Sequence, residues 1–571
     1  MGGGPKYSIP EENDHDKGDK HLRGIVDMGS NGIRFSITNL APPTSRILPT
    51  LVSHRLDVSL YSAQYDPKTG ELVPIPDDII AKVVAALLRF KVICSEFNVA
   101  KKHIRIIATE ATRTAINSVQ YRKEIKNATG IEVEMLAKEE EGFVGALGVA
   151  SGFSDVSGLV MDFGGGSCQI TWMVLTNGNV KIYSKGSVSF PYGAAALTKK
   201  LKALRDGKST EEADKAVAEF RAEMKTNFTN AYSQLRIPEE MVQKAIEAGG
   251  FSLYLSGGGL EDGDTFSFTS PKSDFEDVER LKKVARQADK IFRVSDRRRA
   301  QVPAVAFLVN VLAEALPHGI QMAHFCQGGV REGILFEELS TEVREDNPLE
   351  VATKVYAHKS ADSLSDLIMA SIPRAGKRSF PDSISKHVIH AFANTLFVHT
   401  SMSKETASTA AMYASSTGLL SSVHGVTHAD RALLSLMLEE RYEGELPPRE
   451  QKFKLNLQGI LTAEEVWWTR YIGEIGQLIC TVYPAGIVDE KVSRLKIDSE
   501  WASGFGKNND KEGLRLILSI KKVKNDPQMV KEALEGIVGD VNKVGKRKNW
   551  IGGREGWGMA IDIDINEVND F

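Results

Sequence analysis

One pattern, used twice, limits what this chain can fold into more than any other. Residues 24–32 read Gly-Ile-Val-Asp-Met-Gly-Ser-Asn-Gly, followed by Ile33-Arg34-Phe35-Ser36-Ile37. Residues 159–170 read Leu-Val-Met-Asp-Phe-Gly-Gly-Gly-Ser-Cys-Gln-Ile. Each copy is an apolar strand that ends near an Asp, turns through glycines and becomes strand again. Glycines leave no Cβ in the way, so backbone N–H groups can close around an anion. Asp27 and Asp162 then offer carboxylates where a phosphate-bound metal would sit. The same residues suit tight hairpins with Asx turns. The duplication favours two matching halves that share one ligand.

The rest of the text fits that expectation. Residues 22–40 form the first hairpin, and 47–59 a further strand. Residues 76–98 place Ile79, Val83, Val84, Leu87, Leu88 and Val92 at helical spacing. A strand over 103–108 leads into Thr109-Glu110-Ala111-Thr112-Arg113 and a helix to about 128. A strand over 131–136 and a helix opened by Glu139-Glu140-Glu141 complete one α/β domain. The second half starts over with strand, loop and strand across 158–175, and a sheet extension over 180–186. Ser189-Phe190-Pro191-Tyr192-Gly193 leads into a helix at 194, and 207–250 is mostly helical. A strand at 251–255 ends in Ser256-Gly257-Gly258-Gly259. An apolar helix spans 304–316, and a strand over 321–326 ends in Gly328-Gly329.

From about 347 the periodicity turns helical and continues to 480, broken over 440–451 by Pro447 and Pro448. A strand over 514–520, an amphipathic helix over 527–544 and strict alternation over 559–565 predict a small α/β module. The expected division is a disordered tail at 1–21, lobes at 22–150 and 151–340, a helical domain at 341–455, and a helix plus module at 456–571.

Bulk properties exclude several classes. The net charge of −4 gives no general pull toward nucleic acid or anionic membrane. Cys94, Cys168, Cys326 and Cys480 form no CxxC pair, which argues against zinc or a disulfide framework and for a reducing compartment. No apolar run reaches the ~18 residues of a membrane helix. Residues 1–20 have neither signal-peptide nor transit-peptide character, and position 6 lacks the Ser or Thr of a myristoylation site. A cytoplasmic location is expected.

Glycine turns after successive strands of two matching halves resemble the actin-like ATPase (ribonuclease H-like) architecture, two α/β lobes facing a cleft. More specifically, the chain resembles the exopolyphosphatase / guanosine pentaphosphate phosphohydrolase family over residues 22–335. The residues that carry the resemblance are Asp27 to Asn31, Ala108 to Arg113, Glu140-Glu141-Gly142 with Gly148-Val149, Asp162 to Ser167, Ser189 to Gly193, and Gly328 to Gly333. Within the family, the text is most similar to a fungal branch that signals mitochondrial dysfunction to nuclear genes through a cytoplasmic protein partner. Sugar kinases and chaperones of the same superfamily lack the Glu140-Glu141-Gly142 segment.

The resemblance implies roles. Glu141 matches the family's general base, which activates water against a terminal phosphoryl group. Arg113 matches an Arg that faces the same site. Gly29, Ser30, Asn31, Gly164, Gly165, Gly166 and Ser167 would cradle phosphate. Asp27, Asp162 and Gln169 would hold Mg²⁺. Ser256, Gly257, Gly258, Gly328 and Gly329 match positions where actin-like ATPases contact a nucleoside, and they equally suit plain strand ends. Gln169 departs from the bacterial exopolyphosphatases, which carry Glu there. Gln keeps the shape and loses the charge, so Mg²⁺ affinity should fall.

The helical region resembles an HD-type metallohydrolase fold that has lost its His-acid pair. Ala410-Ala411-Met412-Tyr413 runs on into Ala414-Ser415-Ser416-Thr417. His387, His390, His424, His428 and Asp430 remain, with His424 and His428 spaced to share a helix face. A partner-binding or scaffold surface is the expectation there. The runs Lys199 to Lys202 and Arg297 to Arg299 read as solvated faces. The function expected is a signalling regulator that binds ATP or polyphosphate, with a homodimer among the expected assemblies. The alternative is an active phosphohydrolase.

Overall fold

The computed structural model of the chain describes residues 18–66, 68–182, 187–257, 267–275, 277, 279, 283, 296–373, 380–489, 493–505, 511–521, 527–551 and 556–568. Most of the expected tail, residues 183–186 of the expected sheet extension, Gly258 and the Arg297 side chain lie outside the described residues. The chain divides into two compact units, Met1–Asp346 and Asn347–Phe571.

The first unit holds two sheets. The first contains β1 (Leu22–Gly29), β2 (Gly32–Asn39), β3 (Thr50–Leu56), β4 (Ile104–Ala108) and β5 (Val133–Met135), in the order β3-β2-β1-β4-β5. The second contains β6 (Val156–Phe163), β7 (Cys168–Thr176), β8 (Asn179–Ile182), β9 (Val188–Phe190), β10 (Phe251–Ser256), β11 (Phe268–Pro271) and β12 (Ile320–Phe325). Its path is β11-β12-β10-β6-β7-β8, with β9 paired to β7. In the first sheet β1–β2–β3 is an antiparallel meander, with β4 and β5 added in parallel beyond β1. In the second, β6–β7–β8 is the same meander, with β10 and β12 added in parallel beyond β6. The repeat seen in the text is therefore a repeat of topology.

Two helices share a core with both sheets. Lys138–Ala150 and Val330–Glu337 contribute Val144, Leu147, Val330 and Ile334 to a cluster that also takes in Ile25 and Ile107 from the first sheet and Val160 and Met173 from the second. The helices meet where neither has a side chain. A Cβ on Gly333 would collide with the Val144 carbonyl, and one on Gly148 would stand 2.8 Å from Gly329 N. The buried Arg46 side chain ties the unit together. It donates to the carbonyls of Ser151 (2.7 Å), Phe153 (2.8 Å), Asp346 (3.0 Å) and Arg344 (3.2 Å).

The second unit is helical until its end. Pro348–Lys354, Ala361–Ala370, Lys386–Thr395, Lys404–Tyr413, His428–Tyr442, Pro448–Gln458 and Ala463–Val482 are its main helices. Ser385, Ser403, Thr427 and Thr462 cap four of them by accepting an N–H of the first turn. Helix Ala463–Val482 is apolar nearly all round and buries Trp467, Trp468, Tyr471, Ile472, Ile475 and Ile479, as a central helix must. The C-terminal module is a sheet of β13 (Leu495–Phe505), β14 (Lys511–Lys521) and β15 (Ala560–Val568), with helix Pro527–Lys546 as the crossover between the parallel pair β14 and β15.

Four readings need correction. β13 was not anticipated. The helix expected over 304–316 starts at Asp296 and carries Pro303 inside it. The break expected over 440–451 is confined to 443–447, because helices reach to Tyr442 and resume at Pro448. His424 and His428 share no helix face, since Thr427 caps the helix and His428 is its first residue.

Candidate functional site

Hairpin register places the paired acids. Gly29 pairs with Gly32, which sets Asp27 opposite Arg34. Phe163 pairs with Cys168, which sets Asp162 opposite Gln169. In the second turn Gly164 N closes on Ser167 O at 3.0 Å. The helix Ala194–Ala203 begins against this turn. Gly193 N donates to Gly166 O (3.2 Å), Ala194 N to Gly164 O (3.0 Å) and Ala195 N to Gly165 O (2.9 Å). In a trans peptide the N–H points opposite the preceding carbonyl. With the carbonyls of 164, 165 and 166 held by the helix, the amides of Gly165, Gly166 and Ser167 face the other way. Among the described residues they donate to no backbone carbonyl. Three amides turned out together make an anion cradle.

The first loop closes on the second. A Cβ on Gly165 would stand 2.6 Å from Asn31 Cγ, and one on Gly166 would stand 3.2 Å from Tyr61 and collide with Glu110. Ser30, largely buried, accepts from Tyr61 N at 3.0 Å.

Glu141 is brought in by a stripe of small residues. Helix Lys138–Ala150 opens with Glu139, Glu140 and Glu141, favourable charges at the positive end of the helix dipole. Glu140 reaches back to Ala137 N at 2.9 Å. Gly142, Gly145 and Gly148 then press against Ser187 and Gln169, against Asp162, and against Gly329 respectively. A Cβ on Gly145 would lie 3.0 Å from Asp162 Oδ2. Each helical glycine costs about 1 kcal/mol relative to Ala, and here that cost goes with close approach to the site.

Glu141 is 7% exposed, with Arg113 Nη2 3.1 Å from its Oε2. Arg113 Nη1 also donates to the Leu136 carbonyl. Burial pushes the Glu141 carboxyl up to about 7, against the pull of Arg113 and with the help of Asp162. Burial, then the charge of Asp27, pushes Asp162 up to about 6, opposed by Ser256 Oγ, which donates to its Oδ1 at 3.3 Å. Asp27 is raised by burial against Arg34 and Arg331. Asp162 therefore lies within reach of the charges of both Asp27 and Glu141.

Mg²⁺ usually keeps several waters and takes one or two carboxylates. Asp27 and Asp162 fit that demand, since a cation relieves the repulsion between them. Among the described residues no three His, Cys, Asp or Glu side chains converge to cage an ion directly, so the fit is to a hydrated cation. Gln169 is 2% exposed, and its Nε2 donates to Ser167 Oγ (2.9 Å) and Ser189 Oγ (3.5 Å). Its amide braces the loop.

The residues expected at a nucleoside lie at or just beyond the ends of the neighbouring parallel strands β10 and β12. Ser256 is wholly buried and bound to Asp162. Gly257, at φ +103°, leaves room for Asp162 Oδ1, which a Cβ would meet at 2.5 Å. Gly328 has φ +121°, Gly329 N donates to Glu332 Oε2 (3.0 Å), and the space beyond Gly329 Cα is open. In the second unit, His387 pairs with Glu350 (2.7 Å) and His390 with Asp362 (2.8 Å). Lys199 stands 3.2 Å above the Tyr65 ring and donates to Gly70 O (3.1 Å).

Several neighbours of the site were missed in the text: Arg34, Tyr61, Glu110 and the Gly142–Gly145–Gly148 stripe. Arg34 was within reach, because a hairpin centred on Gly29–Gly32 dictates the Asp27–Arg34 pair. The stripe showed its spacing of three. Tyr61 and Glu110 arrive from two short helices, Leu60–Ala63 and Glu110–Thr114, and nothing in their local spacing marked them as neighbours of the second loop.

A Ppx/GppA phosphatase family model matches residues 40–342, and an RTG2 C-terminal domain model matches 347–568. The chain belongs to the Ppx/GppA phosphatase family. Among relatives, it is 37% identical over 502 residues to Retrograde regulation protein 2 of Saccharomyces cerevisiae, covering 83% of each chain. It is 25% identical over 182 residues to a bifunctional 3-dehydroquinate synthase/phosphatase of Fusobacterium nucleatum, covering 31% of this chain and 26% of the other. Among solved structures, the Aquifex aeolicus PPX-GPPA enzyme is 22% identical at a TM-score of 0.43, covering 56% of this chain and 99% of that one. The Ppx/GppA match covers the second loop and begins after the first. No helix among the described residues is long and apolar enough to cross a membrane.

Proposed function

We propose that this Ppx/GppA protein binds a phosphate-rich ligand, ATP or polyphosphate, with Mg²⁺ between two actin-like lobes, and relays its state to a cytoplasmic protein partner. The observation that carries the reading is the orientation of the 164–167 peptides: three outward amides beside Asn31 and the acids Asp27, Asp162 and Glu141. Asp27 and Asp162 would hold the hydrated cation, which would neutralise phosphate charge. Arg113 would hold Glu141 in place. The relative named for retrograde regulation and the match to an RTG2 C-terminal domain support a role in mitochondria-to-nucleus signalling. The neutral Gln169, spent on bracing Ser167, favours binding over turnover.

A second reading, an active phosphohydrolase, is favoured by Glu141. A carboxyl poised near 7 suits a general base at neutral pH. One experiment separates the two. Binding of ATP and of polyphosphate is measured calorimetrically with Mg²⁺, beside phosphate release, for the wild type and Glu141→Gln. The sensor reading expects tight binding by both proteins and no release above background. Release that Glu141→Gln abolishes sinks the pure sensor. Absence of binding to either ligand sinks both readings.

A further inference from the structure

We propose that Glu110 is a third carboxylate of this site, a positioning residue that holds a water of the hydrated Mg²⁺ accompanying the bound phosphate. The inference rests on the phosphate-binding reading above and extends it to a residue with no assigned role. Glu110 opens the short helix Glu110–Thr114, which follows β4 in the first half of the unit. Its side chain crosses to the second half and ends against Gly166, in the middle of the amide cradle. There Oε2 is sealed from solvent and has no hydrogen-bond partner among the described residues.

A sealed carboxyl oxygen without a hydrogen-bond partner is costly to keep, and the site must provide a donor for it. Arg113, three residues on, is committed to Glu141 and to Leu136 O, and its own Nε is also without an acceptor. The two residues therefore do not satisfy each other. The cradle amides are the groups that would take phosphate. Arg34 and Arg331 act on Asp27, and Arg34 on Asp162, whereas Glu110 adds to the negative charge felt by Glu141 and by Cys168, as Asp162 does. Among the described residues none donates to Glu110 Oε2, and a hydrated divalent cation held at the neighbouring carboxylates would supply the missing O–H donor. Gln169, on the far side of the same loop, is neutral, and Glu110 brings a carboxyl group from the opposite half.

The test is the affinity of the full chain for inorganic tripolyphosphate, with Mg²⁺ and in EDTA. Mg²⁺ should tighten binding by the wild type. Glu110→Gln, which keeps the shape, should remove about tenfold of that Mg²⁺-dependent gain, the usual effect of losing a partner behind a metal's first shell. Affinity in EDTA should stay equal or improve, because a negative charge has left an anion site. Adding Gln169→Glu to Glu110→Gln should restore the Mg²⁺ gain. The proposal is overturned if Glu110→Gln keeps the full gain, if it weakens binding equally with and without Mg²⁺, or if the double variant regains nothing. A wild type that binds tripolyphosphate without any Mg²⁺ gain overturns this proposal alone. A wild type that binds none overturns the phosphate-cleft reading beneath it.

Discussion

Replacing Glu141 by Gln should stabilise the first unit, and by an amount that depends on pH. The carboxyl titrates near 4.5 when exposed and near 7 in the folded protein, mainly because it is buried. Below pH 4.5 both states hold the proton and the group makes no pH-dependent contribution. Between 4.5 and 7 the unfolded chain has released it while the folded chain keeps it, so stability falls as pH rises. Above 7 the loss is complete. At about 1.4 kcal/mol per pK unit, the span amounts to roughly 3 kcal/mol. Gln has the same shape and no proton to lose. The advantage of Glu141→Gln over the wild type should therefore grow by up to roughly 3 kcal/mol between pH 4.5 and pH 8. Native-state hydrogen exchange of the β6 and β7 amides, compared across that range, reports the opening free energy of this unit without interference from the other. A difference between the proteins that is flat in pH would show that Glu141 titrates as an ordinary surface acid. The general-base reading would then lose its main physical support.

Two predictions concern the second unit. Glu474 is 4% exposed on helix Ala463–Val482, and burial together with Glu443, Glu440 and Asp540 pushes its carboxyl up to about 9. By the same sign, stability is lost as pH rises from 4.5 through about 9. Glu474→Gln should raise the urea midpoint, read by the fluorescence of Trp467 and Trp468, more at pH 8 than at pH 5. An equal shift at both would refute it. Arg431, buried at 2% exposure, donates to the carbonyls of Val423 (2.8 Å), Val426 (3.0 Å), Ser415 (3.3 Å) and Leu420. Lys cannot reproduce that planar fork, so Arg431→Lys should cost about 3 kcal/mol in the same titration. A loss below about 1 kcal/mol would show that the 414–427 turns hold themselves.

What the text revealed and what it hid divide along the range of the interactions. The hairpins around Asp27 and Asp162 were legible because alternation and glycine turns act over a few residues. Helix Lys138–Ala150 was legible through its acidic first turn. β13 was not, because its exposed half carries Lys496, Asp498 and Glu500, and its end is broken by Gly504 and a register shift beyond Ser503. The start of helix Asp296–Ala315 was hidden by Pro303, which reads as a boundary although packing carries the helix through it. At the site, the glycines themselves were visible, but not the reason the loop is shaped as it is. Its carbonyls are held by the amides of residues 193–195, and its partner Asn31 belongs to the other hairpin.

That division bears on how far binding and reaction can separate in this family member. The cradle is made of backbone amides oriented by backbone bonds, so no single side-chain substitution within it deletes its donors. The proposed reaction would instead depend on side-chain charge: Glu141 as base, and carboxylates to hold a cation near it. Gln169 is neutral and adds no charge to that second set. A chain of this construction can lose turnover one charge at a time and still recognise phosphate. Charge at Glu110 then decides how strongly Mg²⁺ couples to that recognition. If Mg²⁺ coupling survives in Glu110→Gln, the cation is held by Asp27 and Asp162 alone, and the loss at Gln169 is not compensated from the opposite half.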